Sequence, residues 1–368
     1  MTGNNMNDQL TLGIVGTNWR GSDIKPAFDA TGLIHVKSLC ATNADRLAEA
    51  SKTLAVSETY TDYETMLDSA GLDAVFLATP MDLHVSQSIA ALDRGIHVLC
   101  EVPVATDLDG CRELVRACHK SSAIFMVAEQ FIYRQEPLMI REMVRRGEFG
   151  ELYYAEGEFN QNIQSILDKT PWRRRWQVGV NGITYGPHCL GPVLQWMPGD
   201  RVTEICYAGA GHRYRDGAGA LFELEAAPTM LCRMAQGGLV RVRCDLLSER
   251  PMGVYYQLQG TTGYYDRGDL WLRSRSRDSE TGEPLNDAKN EYLPDAWYEA
   301  ETACQKTGGA SDDYLMALDF VEGIRRGEPV ALDIHAAMDM TLPGLVSQAS
   351  ITQGSAWMEV PDSRTWAS

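Results

Sequence analysis

Tyr185 and His188, three positions apart, are the first candidates for proton chemistry in this 368-residue chain. At that spacing in a turn or first helical turn, a phenol and an imidazole can face one pocket. Imidazole titrates near neutrality and suits removal of a hydroxyl proton, and Tyr133 is a second phenol to set beside Tyr185. A different chemistry is concentrated in Trp172-Arg173-Arg174-Arg175-Trp176. Aromatic rings stack on sugar faces, and guanidinium groups grip carboxylate, sulfonate or phosphate in a fork. Such a cluster could read an anionic sugar, or simply pair with acidic neighbours.

A phosphate-binding turn lies near the start. The apolar run Leu10–Val15 leads into Gly16-Thr17-Asn18-Trp19-Arg20-Gly21, a G-x-N-x-x-G loop. In such a loop the first glycine permits the bend, the middle position lets backbone approach a pyrophosphate, and the last packs helix on strand. Asn18 replaces the middle glycine and is expected to tolerate positive φ there. Ser22 or Asp23 could cap the next helix, with Pro26 in its first turn. A second apolar run ends at Cys40-Ala41-Thr42-Asn43, without the carboxylate that would bind a ribose 2′-hydroxyl. NAD is the expected cofactor; NADP stays open, with Arg46 a candidate for a 2′-phosphate. No Cys/His cluster has metal-ligand spacing, so no metal is expected.

The elements that must hold these residues follow from periodicity. Short apolar runs at Leu10–Val15, 34–41, 74–78, 97–100 and 124–128 alternate with helical patterns. Continuous apolar runs between helices indicate buried parallel strands, a doubly wound Rossmann sheet. Its ligand edge is the C-terminal end of the strands, where Thr79, Pro80, His84, Glu101 and Val102 fall. His97, inside a strand, reads as a core residue. From about residue 150 strands dominate (152–159, 202–208, 220–225, 229–235, 240–245 and 254–259), predicting an α+β domain with a mostly antiparallel sheet. Residues 269–311 read as a long surface excursion, and 138–146, 312–326 and 335–352 as helices. The expected division is 1–131 for the dinucleotide domain and 132–368 for substrate binding and oligomerisation.

Composition sets limits. Against 33 Lys and Arg stand 50 Asp and Glu, a formal charge of −17, which disfavours nucleic acid and anionic membrane as partners. Nine scattered cysteines without CxxC, and a polar N-terminus without an export pattern, predict a reduced, cytoplasmic protein.

Three separated motifs carry a family resemblance. Leu77-Ala78-Thr79-Pro80-Met81-Asp82-Leu83-His84, then Ala90-Ala91-Leu92, then Gly95-Ile96-His97-Val98-Leu99-Cys100-Glu101-Val102-Pro103 resemble the Gfo/Idh/MocA oxidoreductases. The resemblance implies a small-molecule sugar substrate, a nicotinamide cofactor near Gln130 and Glu101, and dimers or tetramers built through the C-terminal sheet. Val102 departs from the family's E-K-P lysine, which would bind the reacting hydroxyl. E-V-P instead resembles the NAD-dependent glycoside hydrolases of this superfamily, the α-N-acetylgalactosaminidases among them. So do Tyr185-Gly186-Pro187-His188-Cys189-Leu190-Gly191-Pro192, Glu129 with Tyr133, Trp172-Arg173 and Gly308-Gly309 with Asp313. Phe159 and Gln161 stand where those enzymes carry a tyrosine and a histidine. Gln161 is therefore a candidate substrate contact with altered specificity, beside Glu101, Trp172, Arg173, Arg174 and Arg175.

The resemblance implies a redox-neutral cycle: oxidation of the sugar at carbon 3, loss of the acidified carbon 2 proton, departure of the aglycone, addition of water and re-reduction. His188, Tyr185 and Tyr133 are the residues expected to move protons in it. Two other readings remain open, a sugar dehydrogenase with net NAD(P)H production and a silent dinucleotide-dependent sensor.

Overall fold

The computed structural model describes residues 9–275 and 281–366. Six strands form the first sheet: β1 (Leu10–Val15), β2 (Ile34–Cys40), β3 (Glu58–Tyr60), β4 (Ala74–Leu77), β5 (His97–Glu101) and β6 (Phe125–Ala128). They lie in the order β3-β2-β1-β4-β5-β6, every neighbouring pair parallel. All four residues of β4 and of β6 are buried, as strands covered by helices on both faces require. This is the doubly wound sheet that the apolar runs predict.

The second sheet has nine strands: β7 (Leu152–Asn160), β8 (Val202–Ala208), β9 (Thr229–Met234), β10 (Leu239–Asp245), β11 (Gly253–Gly260), β12 (Gly263–Asp266), β13 (Asp269–Leu272), β14 (Glu283–Pro284) and β15 (Met358–Glu359). Their order is β14-β13-β12-β11-β7-β10-β9-β8-β15, antiparallel throughout except for the β10–β7 pair. Along β7 the residues alternate. Ala155, Gly157 and Phe159 are buried on the helix side, while Tyr154 and Glu156 on the other face are half-buried. The helix Pro187–Trp196 lies on the first of these faces, against β7, β10 and β11.

The chain then returns to its beginning. The helix Ser311–Arg326 packs on the helix Lys25–Thr31 and on the 3-10 turn Gln130–Tyr133. A Cβ on Gly309 would lie 2.9 Å from the Ala27 nitrogen, so the turn before that helix is closed tightly on the first sheet's helix layer. The helix Ile334–Thr352 bridges the two sheets, touching β6 and β8.

Three local expectations change. Residues 220–225 form no strand beyond an isolated bridge between Arg215 and Leu221; the stretch pairs with its own turn rather than with the sheet. The surface excursion is folded over most of its described part: β14, the helix Asp295–Thr307 and buried Trp297 and Leu285 lie within it. Residues 276–280 of that stretch fall outside the described residues. Ser22 and Asp23 cap nothing; a helix begins already at Trp19, and the Ser22 hydroxyl donates to the Thr17 carbonyl at 2.9 Å.

Candidate active site

The glycine loop is shaped by contacts no larger residue could make. Gly16 has φ +90°, and a Cβ there would sit 2.5 Å from the Ala78 carbonyl oxygen; one on Gly21 would sit 1.7 Å from that of Gly16. Asn18 is the exception to expectation. Its backbone is extended, φ −81° and ψ 155°, so it occupies the middle position without the left-handed conformation. Along the C-terminal ends of β1, β2 and β4 runs a groove of about 390 Å³. Gly16, Thr17, Asn18, Trp19, Arg20, Thr42, Asn43, Arg46, Thr79 and Pro80 all line it, and Lys169 to Arg173 face them from the other side. Trp172 and Arg173, expected on the substrate, thus also border the dinucleotide groove.

The remaining cofactor candidates lie behind the groove walls. His84 is buried and clamped between backbone oxygens, Nδ1 2.9 Å from Pro103 and Nε2 3.0 Å from Thr79. Burial lowers its pKa. His84 therefore supports Thr79 and the Val102-Pro103 turn rather than lining the groove, which corrects the expectation of direct contact. Val102 is buried in the core. Glu101 is held by Arg20, whose Nε donates to it at 2.5 Å, while Arg20 Nη1 donates to Asp313 at 2.8 Å. Burial opposes the Arg20 charge, but the two carboxylates outweigh it and keep the guanidinium charged. Burial also raises the Asp313 carboxyl to about 6 against the pull of Arg20.

These residues fit a dinucleotide on their own chemistry. None of those lining the groove is Asp or Glu, which suits a pyrophosphate. Behind it, the Gln130 carboxamide oxygen and Arg20 Nη2 are buried without a partner among the described residues, polar atoms of the kind a ligand satisfies.

The pair expected to transfer protons lies beside this network. Pro187 opens the helix Pro187–Trp196, its missing N–H costing nothing at that position, and His188 follows it. His188 Nδ1 lies 2.8 and 3.0 Å from the two oxygens of Glu129. Glu129 is fully buried, directly follows β6, and accepts the Phe131 N–H at 3.1 Å. A carboxylate accepts, so Nδ1 is the donor, and in the neutral ring the lone pair falls on Nε2. The Phe131 ring stacks on the imidazole at 4.1 Å, and the Tyr185 ring meets it edge-on at 4.9 Å. Burial pushes the Tyr185 phenol above its usual range, with Arg173 opposing, so Tyr185 stays protonated. Phe159 closes the cluster 5.8 Å from the Tyr185 ring.

Other expected residues separate from this pair. Tyr133 donates its hydroxyl to Asp319 at 2.6 Å, which ties it to the helix Ser311–Arg326 and removes it from the proton-moving set. Arg174 is paired with Asp216 at 3.0 Å, and Arg175 covers the Trp176 ring at 4.5 Å; neither guanidinium is spent on the pocket. The helix Pro171–Trp176 sends successive side chains in different directions, so the three arginines cannot act as one cluster. Of the three arginines, Arg173 lines the groove, and its charge opposes the upward shift of the Tyr185 phenol. Its Nη1 donates to Gln177 at 2.9 Å, its Nε is buried without a partner, and burial lowers its pKa. Gln161, just beyond β7, is anchored by its N–H to the Asp245 carbonyl at 2.9 Å. Glu129 was legible only as a family counterpart; its place one residue past a parallel strand, on the ligand edge, is the signal that could have given it a role.

Family models match both parts of the chain. Residues 10–129 match the family model described as oxidoreductase family, NAD-binding Rossmann fold, and residues 133–366 match that of the glycosyl hydrolase 109 C-terminal domain. A glycosyl hydrolase family 109 protein of Solibacter usitatus is 27% identical over 97% of this chain and 88% of its own length. An α-N-acetylgalactosaminidase of Tannerella forsythia is 25% identical over 82% of this chain and 73% of its own. Among solved structures, a levoglucosan dehydrogenase in complex with NADH and levoglucosan superposes with a TM-score of 0.79 at 19% identity, covering 96% and 100% of the two chains. That likeness speaks for the fold. The first sheet and its groove form an NAD-binding Rossmann domain of the Gfo/Idh/MocA type. Within that class the chain belongs to glycosyl hydrolase family 109, and it is an NAD-dependent glycoside hydrolase.

Proposed function

We propose that this glycosidase works by a redox-neutral cycle in which His188 is the base and Tyr185 the acid. Bound NAD supplies a hydride acceptor at carbon 3 of the sugar and gives the hydride back. The chain's own residues handle the protons. His188 Nε2 takes the proton of the carbon 3 hydroxyl, and Glu129 holds the ring in the tautomer that can do so. Tyr185, kept protonated by burial, donates to the departing aglycone oxygen, and the phenolate oxygen so formed takes the carbon 2 proton as the carbon 1–carbon 2 double bond forms. The observation that carries this reading is the grip of buried Glu129 on His188 Nδ1 with both carboxylate oxygens. No lysine is needed at Val102, because the imidazole does its work.

The substrate we propose carries an anionic substituent, such as a glucuronide or sulfoquinovoside. Support comes from Arg173, whose guanidinium borders Tyr185 and makes no ion pair among the described residues. The chain is further proposed to act in the cytoplasm, as nine free cysteines suit, and to assemble as a dimer or tetramer through the face of the second sheet that carries Tyr154 and Glu156. No helix among the described residues is long and apolar enough to cross a membrane. We place the domain boundary at 131/132, in the turn between the sheets.

The test is a panel of neutral and anionic nitrophenyl glycosides in deuterium oxide. Aglycone release with deuterium at carbon 2 and no net NADH is expected, fastest on an anionic sugar. Steady NADH without cleavage would replace this reading with a dehydrogenase. A preference for neutral glycosides, unchanged in Arg173→Gln, would remove the anionic substituent alone.

A further inference from the structure

We infer that the groove binds NADP as well as NAD, with Arg46 holding the 2′-phosphate. A fold that selects NAD places a carboxylate after the second strand, where it accepts from the ribose 2′-hydroxyl and repels a phosphate. Here β2 ends at Cys40, and Ala41, Thr42 and Asn43 follow. The Asn43 side-chain oxygen is already used, accepting the Arg46 N–H at 2.9 Å as the cap of the helix Ala44–Leu54. The acidic residues of the neighbouring strand and turn are turned to their own backbone and side chains. Asp62 accepts from the Thr65 N–H at 2.8 Å, and Glu58 from the Tyr60 hydroxyl at 2.7 Å.

What the groove offers instead is a cation. Arg46 lines it from the first turn of an 11-residue helix, and its Nη1 reaches across to the Asn18 side-chain oxygen at 3.5 Å. That reach spans from the end of β2 to the glycine loop, the interval in which an adenosine ribose sits in this fold. Arg46 has no carboxylate partner among the described residues, whereas Arg20 in the same groove is claimed by Glu101 and Asp313. On a chain of net charge −17, an unclaimed guanidinium in a wall without acids is a specific feature, and its planar fork matches a phosphate monoester. If the proposed cycle returns its hydride at every turnover, neither nucleotide is consumed and the cellular ratio of oxidised to reduced form does not select one. This indifference in turnover rests on the proposed cycle; the binding itself does not.

The purified protein is exchanged against an equimolar mixture of NAD and NADP, desalted and denatured, and the released nucleotides are quantified. NADP is expected to make up at least a tenth of the nucleotide retained. In Arg46→Ala the NADP-to-NAD ratio should fall at least tenfold, with total nucleotide per chain within twofold of wild type. Arg46→Gln, which keeps the length of the side chain, should show the same fall. NADP below a tenth in the wild type overturns the proposal, as does an unchanged ratio in both variants. Failure of the glycosidase reading would appear in the aglycone assay and leave this ratio untouched.

Discussion

At the scale of single residues, the proposed chemistry turns on how His188 is held. A neutral imidazole free to rotate would divide its proton between two nitrogens; a neutral one gripped at Nδ1 by a buried carboxylate presents its lone pair at Nε2. Glu129→Gln keeps the shape but can donate to Nδ1 and favour the wrong tautomer. We expect kcat to fall roughly 10²- to 10⁴-fold, as for loss of an orienting carboxylate in a catalytic triad, with nucleotide content unchanged. A variant retaining a third or more of wild-type kcat would show that the tautomer is fixed elsewhere. Asp313 provides a pH test. Burial raises its carboxyl from 3.8 to about 6. Because the folded value lies above the unfolded one, the stability this group contributes is complete below about pH 4 and lost as the pH rises through 6. The melting temperature of wild type minus that of Asp313→Asn should therefore shrink between pH 4 and pH 7; growth over that range would contradict the burial argument. Tyr185 and His188 were legible from the sequence because three residues in one turn share a face. Tyr133 was not, because its partner Asp319 lies 186 positions away.

At the scale of elements, the site depends on one close packing. The helix Pro187–Trp196 lies so near β7 that a Cβ on Gly157 would fall 2.1 Å from the Cys189 carbonyl oxygen. Backbone cannot yield as a flexible side chain would, so Gly157→Ala must lift the helix and carry His188 with it. A shift of about 1 Å in a catalytic group costs on the order of 10²-fold in rate. We expect such a loss in kcat, together with a lowered melting temperature, while nucleotide retention, whose glycine loop and strand ends lie away from this helix, stays near wild type. Equal loss of nucleotide and activity would mean that the two sheets are not independent in this respect. The short helix Pro171–Trp176 makes the complementary point. Its composition was plain in the sequence, but helical geometry decided that Arg173 borders the pocket while Arg174 goes to Asp216.

At the scale of the whole molecule, two sheets are joined by helices from the end of the chain. The helix Ser311–Arg326 delivers Asp313 to Arg20, 293 positions earlier, so the dinucleotide edge is completed by the C-terminal half. If the half-buried polar face of the second sheet is an interface, light scattering should give a mass at least twice the 40.8 kDa of one chain. Glu156→Lys, which places like charges beside Arg241, should lower that mass; a monomer in wild type would end the assembly proposal.

By itself the sequence determined the parallel and antiparallel sheets, the glycine loop and the Tyr185–His188 pair. Each depends on periodicity or spacing within about twenty residues, where chain geometry fixes which side chains meet. Only the tertiary structure decided that Glu129 orients His188, that Arg20 spans Glu101 and Asp313, and that Tyr133 and Arg174 are engaged elsewhere. Those contacts join positions from 42 to 293 residues apart, and burial, which sets the charge states of Asp313 and Tyr185, exists only once the distant segments have closed over them.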